Sequence, residues 1–231
     1  MNKQGILYGI GVGPGDPELL TLKAVRILRE ADVIAVPATG EGRRVALSIA
    51  AAHVADKPVM DCMMPMLRDR ARLNENYDRV ADALAARLDA GETVAFLTLG
   101  DPSVYSTYTY LHRRLLARGY DARLVPGVPS FCAAAAALNE PLCEGGEALH
   151  ILPASHGAVG DGLDLPGTRV LMKAGRELGA VCDALAARGE LTRAGMVENC
   201  GMENERVLHS MTDFDGEAGY FALVVVKEGG V

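Results

Sequence analysis

The chain has 231 residues, enough for one large domain or two small ones with a real core. Hydrophobic residues make up 49% and charged residues 23%, ordinary for a soluble globular protein, and no apolar run reaches the roughly 20 residues that cross a bilayer. A net charge of −7 argues against a nucleic-acid partner, which selects a basic face.

The N-terminal residues run directly into a strand-like segment with no signal-peptide pattern, so a cytoplasmic location is expected. The cysteines, at 62, 132, 143, 182 and 200, are odd in number and form no CxxC pair. Buried thiols are expected rather than a disulfide framework or a zinc site. The histidines at 53, 112, 150, 156 and 209 also lack ligand spacing, and no metal is expected. An anionic small substrate stays open, because local patches decide that. Two patches stand out: Arg43 with Arg44, and Arg68, Arg70 and Arg72. An arginine fork can grip a carboxylate bidentately; a solvated helix start or loop is the equally weighted alternative.

Apolar runs predict strands at 6–12, 32–36, 58–62, 93–99 and 122–125, with helical patterns between them. Asp16 can cap the first helix and Pro17 suits its first position. Leu19, Leu22, Val25 and Leu28 would then share a face, with Ile27 and Ala31 beside it. Further helices are predicted over about 42–55, 74–90, 103–118 and 130–138. This alternation implies a parallel sheet with helices on both faces. In the second half, strands are predicted at 148–152, 168–172, 194–198, 205–210 and 220–226, with one long helix near 176–188 and a loop over 153–167. Consecutive strands near the end imply antiparallel pairs and a mixed sheet. The fold class expected is α/β, in two domains, 1–131 and 132–231.

Three turns follow strands of the first half. Gly9-Ile10-Gly11-Val12-Gly13-Pro14-Gly15-Asp16 has the setting of a dinucleotide-binding turn but fails GxGxxG in every frame. Val36-Pro37 also stands where an acidic residue would take a ribose. A purely structural tight turn remains open. In Thr98-Leu99-Gly100-Asp101-Pro102-Ser103-Val104-Tyr105, Gly100 permits close backbone approach, Asp101 can accept hydrogen bonds and Pro102 fixes the turn. Common turn chemistry explains a lone Gly-Asp-Pro equally well. Val125-Pro126-Gly127-Val128-Pro129-Ser130-Phe131 is the third, leading into an alanine-rich helix. In an open α/β sheet, such strand ends form the ligand edge.

Together with VENCGMENERVLHS and YFALVVVKEG, these segments resemble the tetrapyrrole methylases over nearly the whole chain. The resemblance implies an S-adenosylmethionine site in a cleft between two domains, with S-adenosylhomocysteine as product, a tetrapyrrole substrate and a homodimer. By motif it implies cofactor contacts at Pro14, Leu99, Gly100, Asp101, Val104, Ser130, Phe131, Met172, Cys200 and Ala222. Leu99 replaces a glycine seen in many relatives, and Pro129, where threonine or serine is common, cannot donate a backbone hydrogen bond. GDPSVYSTYTYL and PATGEGRRVALSIAA resemble the members that methylate carbon 20 of precorrin-2 or cobalt-factor II. Methylation of another ring carbon is the alternative within the family, and a non-catalytic nucleotide-binding module the alternative outside it. Asp101, Tyr105 and Tyr108 are candidates by position to accept the proton from the methylated carbon. Arg68, Arg70 and Arg72 are candidates to hold substrate carboxylates.

Overall fold

The computed structural model describes residues 4–38, 44–65, 69–154 and 159–229. They form two compact units that divide between Pro129 and Ser130.

In the first unit, β1 (Ile6–Gly11), β2 (Val33–Ala38), β3 (Val59–Met63), β4 (Val94–Thr98) and β5 (Asp121–Val125) make one sheet in the order β3-β2-β4-β1-β5. Every pair is parallel. The helices are α1 (Leu22–Glu30), α2 (Val45–Val54), α3 (Arg70–Asp89) and α4 (Tyr108–Ala117). Each strand feeds both faces by alternation. Leu7, Val33, Ala35, Val94 and Phe96 pack against α3 and α4. Ile10, Ile34, Val36, Ala95 and Leu97 pack against α1 and α2. Right-handed crossovers account for this segregation: the chain steps one way across the sheet through α1 and α2, and back through α3 and α4. β1 and β4 are therefore neighbours whose following helices lie on opposite faces, which is a topological switch point.

Three expectations need correction here. Asp16 caps a 3-10 turn, Pro17–Leu19, and not the first α-helix. Thr21 caps α1, accepting from the Ala24 amide at 3.1 Å. The break resets the helical phase, so Ala24, Ile27 and Leu28 are buried while Leu22 is 90% exposed. Second, α3 starts four residues earlier than the apolar pattern predicts, because Asp69 accepts from the Ala71 and Arg72 amides at 2.9 and 3.3 Å. Third, α4 starts at Tyr108 and not near 103, since the carboxylate of Asp101 and the residues after it form a turn of their own.

The second unit has β6 (Leu149–Pro153), β7 (Thr168–Met172), β8 (Ala194–Glu198), β9 (Arg206–Leu208) and β10 (Ala222–Val226) in the order β6-β7-β10-β8-β9. The β6–β7 pair is parallel and the other three are antiparallel, a mixed sheet as the strand spacing predicts. Its helices are α5 (Ser130–Leu138), α6 (Val159–Leu163) and α7 (Leu178–Ala187). α6 lies inside the stretch expected to be a loop; its Leu163 joins the core with Leu178, Val181 and Leu185 of α7. Arg169 at 6% exposure and Glu190 at 8% form a buried ion pair at 3.3 Å. Arg169 also donates to the Leu163 carbonyl at 2.8 Å and the Lys227 carbonyl at 3.3 Å, which anchors the far end of β10.

Candidate active site

The three glycine turns of the first unit meet at the carboxyl edge of adjacent strands, β4, β1 and β5. Register makes this possible: Gly11 stands opposite Thr98, and Ile10 opposite Val125, so the strands end level. Gly13 and Gly100 then bridge the first two turns, with Gly13 N–H donating to the Gly100 carbonyl at 3.2 Å and Gly100 N–H to the Gly13 carbonyl at 2.7 Å. Both have positive φ, +80° and +70°. That region is open to glycine and strained for a β-branched side chain. Gly100 therefore serves the shape of the turn itself, and a substitution there strains the backbone before any ligand is considered.

Asp101 ties the second turn to the third. One carboxylate oxygen accepts from the Ser103 amide at 2.8 Å and its hydroxyl at 2.5 Å, and the other accepts from the Gly127 amide at 3.0 Å. Gly11, Gly100 and Gly127 are in backbone contact. A Cβ on Gly11 would lie 2.5 Å from the Gly127 nitrogen and 2.7 Å from the Gly100 carbonyl oxygen. The sequence singled out Asp101 and the glycines but gave no sign of Ser103 or of the pairing of Asp101 with Gly127, 26 residues away. Around this knot Pro14 and Gly100 are buried, while Leu99 and Val104 are half-buried.

In the second unit three of the residues that the resemblance implies lie at one edge. β7 and β8 flank β10 and run antiparallel to it, so Met172 at the end of β7, Cys200 just after β8 and Ala222 at the start of β10 share one sheet edge. Met172 is half-buried; Cys200 and Ala222 are buried. Ser130 and Phe131 open α5, with Phe131 buried and Ser130 half-buried.

The three proton-acceptor candidates separate. Asp101 has both carboxylate oxygens engaged in holding turns together. Tyr108 is fully buried in the core between sheet and α4, and burial pushes its phenol well above the usual range. Its hydroxyl lies 3.5 Å from the Arg123 carbonyl and 3.4 Å from His112 Nδ1. It is a packing residue, because the first turn of α4 rotates it under β1. Tyr105 is 45% exposed on the loop before α4 and holds a φ of +47°. Strain of this kind persists where the surroundings over-determine it, as they do at ligand sites.

Arg70 and Arg72 are exposed on the first turn of α3 rather than in a loop. Asn76, buried one turn further on, fixes this end of α3 by donating to the Met63 carbonyl at 2.7 Å, at the exit of β3. Arg68 and Arg43 lie outside the described residues. Arg44 pairs with Asp61 of β3.

The family model for Tetrapyrrole (Corrin/Porphyrin) Methylases matches residues 6–213. The chain belongs to the tetrapyrrole methylase family. The cobalamin biosynthesis protein CobIJ of Mycobacterium tuberculosis is 35% identical over 240 residues; the match takes in 99% of this chain and 47% of that protein. The chain thus spans about half the length of that curated relative. The precorrin-2 C(20)-methyltransferase of Sinorhizobium sp. is 37% identical over 233 residues, 96% of this chain and 95% of that one. Among solved structures, the uroporphyrin-III C-methyl transferase of Thermus thermophilus complexed with S-adenyl homocysteine superposes with a TM-score of 0.69 at 25% identity, covering 97% and 98%.

The residues present fit the nucleoside cofactor of such a methylase. In the first unit, half-exposed apolar side chains stand directly after β4 (Leu99) and in the turn that follows (Val104), where they can cover an adenosine or a thioether. The glycine knot lets the three turns close on one another, backbone against backbone, at the ligand edge of the sheet. Among the described residues no group of three or more histidine, cysteine, aspartate or glutamate side chains is placed to hold a metal ion.

Proposed function

We propose that the protein is an S-adenosylmethionine-dependent methyltransferase that methylates carbon 20 of precorrin-2 or cobalt-factor II in corrin synthesis. The observation that carries the activity is the joining of three ligand-edge turns at the switch point of a methylase-family sheet. The finer choice of carbon rests on likeness along nearly the full length of the Sinorhizobium enzyme. Pro14, Leu99, Gly100, Val104, Ser130, Phe131, Met172, Cys200 and Ala222 are the proposed cofactor contacts, with Asp101 holding the turn that carries Leu99, Gly100 and Val104.

The bound cofactor supplies an electrophilic methyl group on a sulfonium, so the protein needs no nucleophile. Its own residues place the ring carbon in line with that group, and such placement can supply about 7–11 kcal/mol. Water exclusion falls to the apolar residues at the strand ends. Tyr105, exposed beside the second turn, or solvent takes the proton from the methylated carbon.

S-Adenosylhomocysteine at about 100 times its dissociation constant should stabilise the protein by about 2.7 kcal/mol, hence raise the melting temperature by roughly 5–11 °C. A folded protein with no shift at millimolar ligand would count against the cofactor assignment.

The substrate carries many carboxylates, and an acidic protein must gather positive charge locally to hold them. Arg70 and Arg72, at the helix start that follows the exit of β3, are the proposed grip. Both are exposed, so each pair should contribute about 0.2–1 kcal/mol. The double change Arg70→Ala, Arg72→Ala should raise the tetrapyrrole KM by about 2- to 30-fold, less at high salt. Cofactor affinity should stay as it is. An unchanged tetrapyrrole KM at low salt would return both residues to plain surface.

A further inference from the structure

We infer that Glu198 is a positioning residue for the cofactor, a role that rests on the methyltransferase reading above. Glu198 is the last residue of β8 and stands directly opposite Ala222, the first of β10. Its Oε1 accepts a short hydrogen bond from the Gly219 amide, 21 residues away on the loop that enters β10. That loop is trapped from the other side. A Cβ on Gly175, at the exit of β7, would run into the Gly219 carbonyl, with the Gly219 carbonyl carbon only 3.0 Å away. The carboxylate therefore draws the loop before β10 onto the ends of β7 and β8 together.

The strand exits at this edge carry backbone strain. Lys173, directly after β7, has a φ of +57°, and Asn199, directly after β8, has a φ of +51°. Asn199 donates its amide to the Phe221 carbonyl at 3.3 Å, which adds a second tie to the same loop. Two non-glycine residues in the left-handed region persist only where their surroundings hold them, and such residues gather at ligand sites. Met172 precedes Lys173, Cys200 follows Asn199, and Ala222 follows Phe221. Of the five proposed cofactor contacts of this unit, Cys200 and Ala222 are thus chain neighbours of residues tied by the Glu198 clasp, and Met172 lies three residues before Gly175, which packs on the same loop. Glu198 need not touch the cofactor: its charged oxygen fixes a loop that would otherwise be ordered only on binding, at an entropic cost to affinity.

The test compares the intact protein with Glu198→Gln, Glu198→Ala and Gly219→Ala. The readouts are calorimetric affinity for S-adenosylhomocysteine, melting temperature, and KM values for S-adenosylmethionine and tetrapyrrole. A Cβ on Gly219 would lie 2.7 Å from Glu198 Oε1, so Gly219→Ala pushes the clasp open from the other partner without touching the core. Glu198→Ala should weaken S-adenosylhomocysteine about tenfold, as loss of a charge-assisted bond implies. Glu198→Gln keeps a carbonyl acceptor and should restore most of the affinity. Gly219→Ala should weaken binding as well, and its effect should vanish in the Glu198→Ala background, because both changes break one contact. The tetrapyrrole KM should hold throughout. Parent-like affinity in Glu198→Ala, or in Gly219→Ala should Glu198→Ala not fold, would overturn the positioning role. So would equal losses for cofactor and tetrapyrrole, the mark of general loosening. Failure of the parent itself to bind S-adenosylhomocysteine would instead overturn the methyltransferase reading, and this role with it.

Discussion

Gly11→Val is expected to lower the melting temperature by roughly 6–12 °C and to abolish measurable S-adenosylhomocysteine binding, given about 2–4 °C per kcal/mol for a chain of this size. The added Cβ would meet the Gly127 nitrogen at 2.5 Å and the Gly100 carbonyl oxygen at 2.7 Å. Both obstacles are backbone, so no side chain can swing aside. Overpacking costs about 1–3 kcal/mol when a core can yield, and the upper end or beyond applies where three turns must separate. Moving β1 away from Gly100 also threatens the paired hydrogen bonds between Gly13 and Gly100. Calorimetric melting with and without ligand reads both effects. A variant that melts within 2 °C of the parent, well inside the roughly 6 °C minimum expected from overpacking, and still binds would mean that the knot is looser than described.

Asp101→Ala should weaken S-adenosylhomocysteine by about 10- to 150-fold, since it leaves the half-buried Gly127 amide without its acceptor at a cost of about 1.5–3 kcal/mol. The same change frees the Ser103 amide and hydroxyl, so the whole second turn loses its anchor. Asp101→Asn separates anchoring from proton transfer. An amide retains one carbonyl oxygen, so binding should fall only part of the way and turnover at saturating cofactor should stay within about tenfold, the scale of one neutral hydrogen bond. Were the carboxylate a general base, the same variant would bind normally and turn over some 100- to 10,000-fold more slowly. Steady-state kinetics alongside calorimetry distinguishes the two outcomes.

Much of the first sheet was legible in the sequence because parallel strands buried on both faces read as short apolar runs, as Val94–Thr98 does. β7 and β8 pair antiparallel with β10 but are likewise buried on both faces, which made them legible, and α5 was legible because Pro129-Ser130 precedes an alanine-rich run. The phase of α1 was not, since Asp16-Pro17 is a genuine start signal that the chain uses for a 3-10 turn and then repeats with Thr21. α3 was read short because its first turn, Arg70 to Leu73, is exposed apart from Leu73 and holds two arginines and an alanine, so apolar periodicity begins only later. The site was legible as a set of turns but not as a set of contacts. The partner of Asp101 is fixed by the level ends of β4, β1 and β5, a tertiary fact that local pattern does not encode. Tyr108 was misjudged for a related reason: one residue of helix phase decides between the ligand edge and the core. Glu198 lay in view within VENC, yet only the pairing of β8 with β10 shows what its carboxylate reaches.

The central claim is tested most directly by the product of a single incubation. Protein, S-adenosylmethionine carrying an isotopically labelled methyl group, and either precorrin-2 or cobalt-factor II would be combined anaerobically, with the tetrapyrrole then analysed by mass spectrometry and NMR. The account predicts the transfer of one labelled methyl group to carbon 20 of at least one of the two substrates. Label at any other ring carbon, or no transfer to either tetrapyrrole by protein that binds S-adenosylhomocysteine, would contradict it.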